Sequence, residues 1–315
     1  MLSRELEELC ILYLNNRTKF RKVFKLESGM TDAAGALCTF KGYETDVEEI
    51  KNCYKILKKN EGLFSLFRGN MCCPLVAKMC MSDDPEEYYE SIKIILDKLN
   101  DNSIFQYGYG IMAAMIIYGN SERRDWDTYV SRVKFIYAKM KEDHSFLTSE
   151  ADKVFAALLA VSNIDIDNLL LEMEESFNLL KGEFSIFSIQ EMSQVLSLDM
   201  GSPGYKVQKV KDMKQAAKAR KMNFGKRDEA MGLALMALSD LPEDVILDQV
   251  EEIYEYLKII GAYKGLLYSK SEKLLIASML FIKACRPNDP VVDTILLYVI
   301  LANVIAAQAA AAAAA

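Results

Sequence analysis

At six near-evenly spaced places between residues 64 and 269, among others, a large side chain stands directly before a small polar residue, a glutamine or a glycine. The marks are Phe64-Ser65, Phe105-Gln106, Leu147-Thr148, Phe187-Ser188, Phe224-Gly225 and Tyr268-Ser269. The large residues are separated by 41, 42, 40, 37 and 44 positions. An average of roughly 41 falls in the range of two-helix solenoid repeats. The chemistry of each mark fits the start of a helix. A side-chain oxygen takes up an orphan backbone N–H, and the apolar residue before it packs onto the first turn. Ser188-Ile-Gln-Glu191 and Ser269-Lys-Ser-Glu272 have capping-box spacing. Each mark is therefore expected to open the first helix of a hairpin.

Polar segments follow at 82–87, 119–127, 162–167, 199–204, 239–244 and 286–290, and five of the six prolines lie in them. There a missing N–H costs least, so these segments read as turns. A second helix then begins. Tyr129, Val133, Ile136 and Met140 form an apolar stripe. So do Ile166, Leu169 or Leu170, Met173, Phe177 and Leu180, and again Ile246, Val250, Ile253, Leu257 and Ile260. Each is an amphipathic helix with one face to bury. The first helices, such as "VFAALLAVS" and "LIASMLFI", are apolar on more sides. They are expected in the middle, covered by the second helices. Upstream, Thr45-Asp-Val-Glu48 is expected to open a helix carrying Val47, Ile50, Tyr54 and Leu57, with 31–42 as its partner and 3–26 as a leading helix. The fold class expected is all-α: stacked helical hairpins in a solenoid-like array. It forms a single domain over 1–315, with N-terminal helices to 62, about six degenerate hairpins over 63–308, and an alanine-rich tail over 309–315.

The stretches "EGLFSLFRGN" (61–70), "HSFLTSEADKVFAALLAVS" (144–162) and "SIQEMSQVLSL" (188–198), with the hairpin at 226–260, resemble a family of uncharacterised bacterial proteins. It is catalogued as domain of unknown function four thousand and three. The likeness spans roughly residues 5–300. Members usually carry a second acid where this chain has Ala151-Asp152. The resemblance implies an all-helical fold and a bacterial cytosolic origin. It implies no activity, cofactor or catalytic residue.

Signatures of chemistry are sparse. One histidine, His144, cannot build a multi-histidine metal site. Cys72, Cys73 and Cys80 lack paired C-x-x-C spacing and read as buried thiols. Gly108-x-Gly110 follows no strand and lacks the third glycine of a phosphate loop. Acid pairs such as Glu86-Glu87, Asp165-x-Asp167 and Glu251-Glu252 sit near helix starts or on polar faces, where they complement the helix dipole. No cofactor is expected. Seven cysteines behind an acidic N-terminus, "MLSRELEELC", suggest free thiols in the cytoplasm without a signal peptide.

The net charge of -7 speaks against nucleic-acid binding by bulk electrostatics. One segment departs from it. Residues 206–227 hold nine Lys or Arg and one Asp, a local charge of +8 that leaves -15 for the rest. Val207, Val210, Met213 and Ala217 make its buried stripe, so the lysines are expected to point outward. Lys206, Lys209, Lys211, Lys214, Lys218, Arg220 and Lys221 are the candidate contacts for an anionic partner. A protein partner is favoured over RNA or DNA, because stacking aromatics are not spread along the segment.

The tail raises a different question. From Thr294 to Ala315 there are 22 uncharged residues, enough to cross a bilayer. Asn303, Gln308 and the missing distal Lys or Arg argue against an anchor. The tail instead falls at the second-helix position of the last hairpin, apolar nearly all round. A terminal repeat is expected to be polar outside. Ile295, Leu296, Val299, Ile300 and Val304 are thus candidates for burial in the chain, self-association or a partner. The function expected is a protein-interaction scaffold. The alternatives are an all-α enzyme with an unrecognised acidic site and nucleic-acid association through 206–227.

Overall fold

The computed structural model describes residues 2–25, 29–63, 65–69, 71–100, 108–120, 125–143, 152–162, 165–199, 201–225, 230–263 and 269–313, the side chains of Asp143, Phe187 and 305–313 excepted. All regular structure among them is helical. In chain order the helices are α1 (Arg4–Phe24), α2 (Gly29–Phe40), α3 (Val47–Asn60), α4 (Cys72–Cys80), α5 (Pro85–Asn100), α6 (Gly108–Asn120), α7 (Trp126–Asp143) and α8 (Asp152–Val161). They continue with α9 (Ile166–Leu180), α10 (Ile186–Ser197), α11 (Pro203–Ala219), α12 (Met231–Ala237), α13 (Glu243–Ile259), α14 (Lys270–Cys285) and α15 (Pro290–Ala313).

Local chemistry explains many starts. Pro85, Pro203 and Pro290 are first residues of α5, α11 and α15, where no N–H is required. Each follows a capping oxygen. Asp84 accepts from the N–H groups of Glu86 and Glu87, both at 3.0 Å. Ser202 accepts from Tyr205 at 3.3 Å and Asp289 from Val291 at 2.8 Å. Ser269 and Glu272 form the expected capping box of α14. Three expected starts are displaced. Ser65 caps only a short 3-10 turn, Leu66–Arg68, and α4 begins at Cys72. The cap of α3 is Asp46 with Glu49, one residue beyond Thr45 and Glu48. Thr45 is buried instead, and its N–H and hydroxyl both serve Asn16. The cap of α10 is Ser185, whose oxygen accepts from Ser188, so α10 begins before the expected Ser188. The marks at Phe64, Phe105-Gln106, Leu147-Thr148 and Tyr268 lie outside the described residues, as does the Phe187 side chain.

The chain divides into two compact units: residues 1–14 with 167–299, and residues 15–166 with 300–315. In the second, α2 packs on α4 and α6 on α8, while α5 packs on both α3 and α7. In the first, α12 packs on both α10 and α14, and α11 on α13. Burial follows the same division of labour. Residues 31–40 of α2, 152–160 of α8, 231–237 of α12 and 274–282 of α14 are buried on every side. The covering helices bury one stripe each: Val133, Ile136 and Met140 in α7, and Ile246, Val250, Ile253 and Leu257 in α13.

Two buried or half-buried ion pairs tie helices together, offsetting their desolvation. The Arg17 guanidinium meets the Asp32 carboxylate between α1 and α2. Gly35 lets those helices approach closely, since a Cβ there would lie 3.0 Å from the Arg17 backbone. In the other unit, Arg286 grips Asp199 with two hydrogen bonds of 2.9 Å, holds Asp289 at 2.8 Å and reaches the Leu238 carbonyl at 3.2 Å.

Candidate anionic-partner site

The basic segment forms α11 and the turn after it. Val207, Val210, Met213 and Ala217 make its buried stripe, none more than 2% exposed. The expectation that all its lysines face outward does not hold. Lys206 and Lys209 are 4% and 5% exposed. The Lys206 ammonium donates to the carbonyls of Leu196 (2.6 Å) and Asp199 (2.8 Å), beside the Glu172 carboxylate at 3.6 Å. That of Lys209 donates to the carbonyls of Ser239 and Leu241. Both cations thus finish the C-terminal ends of α10 and α12, where carbonyls lack helical partners. Burial lowers the pKa of each lysine, against nearby carboxylates that raise it. Each lysine adjoins a stripe valine, but Lys214 and Lys218 adjoin the stripe residues Met213 and Ala217 as closely, so adjacency does not mark the buried pair.

The remaining five cations divide again. Arg220 is committed to Asp244 (2.9 Å) and Asp248 (2.5 Å) on α13. Lys214 pairs with Glu183 at 3.0 Å and lies over the Phe184 ring at 4.3 Å. That pairing holds the Glu183 carboxyl below the usual carboxylate range. Lys211 is half-buried, whereas Lys218 and Lys221 are exposed. None of these three makes a salt bridge among the described residues. Lys226 and Arg227 lie outside them.

Lys214, Lys218 and Lys221 share the rim of a cavity of about 780 Å³. Its floor is apolar, formed by Phe184, Ala217, Met222, Phe224 and Leu233. Phe224, buried as expected, is held by Gly232, where a Cβ would come within 3.0 Å of its ring. Ser185, the cap of α10, lies in the same wall, so the partly positive end of that helix opens beside the lysines. Glu183 also lines the cavity, paired with Lys214, so Lys218, Lys221 and the helix end are what act toward negative charge above the apolar floor.

A family profile matches residues 13–310, nearly the whole chain. The chain belongs to the family described as "Protein of unknown function (DUF4003)". No curated protein and no solved structure matches it.

Other candidates in this family member are placed as follows. Ile295, Leu296, Val299, Ile300 and Val304 on α15 are buried within the chain, at 0, 0, 0, 3 and 2% exposure. Tyr298 of the same helix donates its hydroxyl to Gln194. Among the described residues no helix is long and apolar enough to cross a membrane. All seven cysteines are free thiols, and Cys72, Cys73 and Cys80 are buried. Cys80 faces Cys53, with sulfurs 3.7 Å apart. Among the described residues no three His, Cys, Asp or Glu are grouped to hold a metal ion. His144 lies outside the described residues. Gly108 and Gly110 are buried within α6, which suits helix packing.

Proposed function

We propose that this chain is a cytoplasmic protein-interaction scaffold that docks an acidic segment of a protein partner on the lysine-rimmed cavity. The carrying observation is the pairing of an apolar floor with Lys218 and Lys221, exposed cations that make no salt bridge among the described residues. An apolar side chain of the partner fills the space between Phe184 and Phe224, and carboxylates beside it meet the rim. Desolvated anchors inside a charged border carry most of the energy in protein interfaces.

The scaffold in this reading is an array of about six hairpins over 63–308, each roughly 41 residues long. Its support is the packing within each unit. First helices rest on first helices, as α10 on α12 and α12 on α14, and second on second, as α11 on α13. Free thiols support a reducing compartment.

The test is crosslinking in the native cell, followed by mass spectrometry, with wild type and a Lys218→Glu/Lys221→Glu variant of unchanged melting temperature. Crosslinks from 214–221 to an acidic segment of one protein, lost in the variant, are the expected result. Recovery of nucleic acid with steep salt dependence would replace the reading with nucleic-acid association. A co-purifying metabolite without any partner would favour an enzyme.

A further inference from the structure

Six of the seven cysteines are buried, and two of them meet. Cys53 belongs to the buried stripe of α3, with Ile50 and Leu57. Cys80 is the last residue of α4. Their sulfurs stand 3.7 Å apart, and the Cys80 thiol donates to the Cys53 sulfur. The two lie 27 positions apart in the chain, so the packing of α3 on α4 makes the contact.

A disulfide holds its sulfurs at about 2.05 Å, so the gap closes with a combined movement of less than about 2 Å. Cys80 stands at a helix end, where the backbone yields more easily than inside a helix. The surroundings also distinguish the two thiols. The hydrogen bond from Cys80 favours the Cys53 thiolate and holds its pKa below the ordinary thiol value, against burial and the Glu49 carboxylate. The same hydrogen bond and burial push Cys80 up. Cys53 is therefore the nucleophile and Cys80 the thiol that resolves it.

The oxidant is selected by access and charge. Cys53 and Cys80 are 2% and 3% exposed, which keeps out a bulky disulfide. Glu49, whose carboxylate accepts from the Tyr43 hydroxyl, places negative charge beside Cys38, Cys53 and Cys80. Lys78 acts on Cys38 in the opposite sense. A small uncharged oxidant meets both limits, and hydrogen peroxide, little larger than water, is of that class.

We propose that Cys53 and Cys80 form a reversible disulfide on exposure to a small hydroperoxide, joining α3 to α4. The Cys53 thiolate attacks one peroxide oxygen. The O–O bond breaks, and the other oxygen leaves as hydroxide, which takes the proton given up by Cys53 and becomes water. Cys53 is then a sulfenic acid. The Cys80 sulfur attacks the Cys53 sulfur, the S–O bond breaks, and the hydroxyl leaves as water with the Cys80 proton. Two thiols and one peroxide thus give one disulfide and two waters. The sulfurs lose two electrons and the peroxide gains them. Within a reducing compartment such a bond is transient and senses oxidation.

The experiment uses the full chain with Cys285→Ser, which removes the exposed thiol and links between molecules. The reduced protein is treated with hydrogen peroxide, quenched, unfolded with an alkylating agent and mapped by mass spectrometry. A parallel native sample receives N-ethylmaleimide in place of peroxide. The expected product is a Cys53–Cys80 linked peptide, two hydrogens lighter and restored by dithiothreitol. It should form about tenfold faster than Cys10 and Cys73 are oxidised, and faster than maleimide labels them. In the same background, Cys80→Ser keeps a donor to Cys53 and removes the resolving thiol. Cys53 should then gain oxygen without any bridge. The proposal is overturned if both thiols stay reduced or if Cys80 links to Cys38. It is equally overturned if Cys53 in the Cys80→Ser variant stays a free thiol. A bridge that forms no faster than maleimide labels Cys10 and Cys73 arises in the unfolded chain and also overturns it.

Discussion

At the scale of single residues, α1 and α2 approach each other closely at a glycine. A Cβ at Gly35 would stand 3.0 Å from both N and Cα of Arg17. Neither atom can rotate away, so α1 and α2 must separate. Gly35→Ala is expected to cost about 1–3 kcal/mol by the usual cost of overpacking. Denaturant unfolding measures it. The Arg17–Asp32 pair at the same contact is buried. Asp32→Ala leaves the guanidinium without its carboxylate and should cost about 3–5 kcal/mol. Thiol reactivity tests burial in another way. Burial pushes Cys10, Cys38 and Cys72 up to about 12, and of the seven thiols Cys285 is exposed. A thiol reagent at neutral pH should label Cys285 quickly and the other six only on unfolding. Fast labelling of a second site in the native protein would contradict the packing around α2 and α4.

At the scale of elements, several helix starts were legible because capping is local chemistry. Ser269 with Glu272, and the prolines opening α5, α11 and α15, depend on neighbours within a few residues. The displaced starts show the limit. Thr45 and Asp46 both have a suitable oxygen, and Ser185 and Ser188 both precede an apolar run. The choice between them followed from Thr45 being drawn to Asn16, 29 residues away. For Ser185 and Ser188 the structure gives the outcome without an evident tertiary cause. Ser185→Ala is expected to cost about 1 kcal/mol by loss of the cap, read as a fall in the urea midpoint at unchanged slope. The turn before α15 carries a pH signature. Burial opposes ionisation of Asp289, but Arg286 and the N–H groups of Val291 and Val292 prevail and hold its pKa below the ordinary value of 3.8. A depressed carboxyl stabilises the fold above its unfolded pKa, and that contribution is lost as pH falls through the folded value. Asp289→Asn should flatten the acid side of the stability profile below about pH 5. Stability at neutral pH that falls equally at every acid pH would refute the assignment.

At the scale of the molecule, α15 decides whether the C-terminal region is an accessory or part of the core. Val292, Ile295, Leu296, Tyr298, Val299, Ile300, Leu301 and Val304 are all buried. At about 1.5–3 kcal/mol for each large apolar side chain, they contribute on the order of 10–20 kcal/mol. That matches or exceeds the whole stability of an ordinary protein, about 5–15 kcal/mol. Deleting 291–315 should therefore give an unfolded or aggregated product, seen by circular dichroism and size-exclusion chromatography. A folded monomer would show α15 to be dispensable.

What the sequence determined by itself was whatever depends on neighbours along the chain. That includes the all-helical class, which helices are apolar on every side and which bury a single stripe, several caps and turns, and the stripe of α11. It also located the cationic stretch. It could not divide those cations by role. Lys206, Lys209, Lys218 and Lys221 are alike in sequence, yet two end helices inside the core and two stand at a cavity. The difference lies in carbonyls and rings brought from 10 to 30 or more residues away, such as Leu196, Ser239 and Leu241. The meeting of Cys53 with Cys80 and the cover of α15 were likewise decided only by tertiary packing. Whether a polar atom is satisfied, or an apolar face covered, depends on what reaches it through space, and helical periodicity carries no record of that.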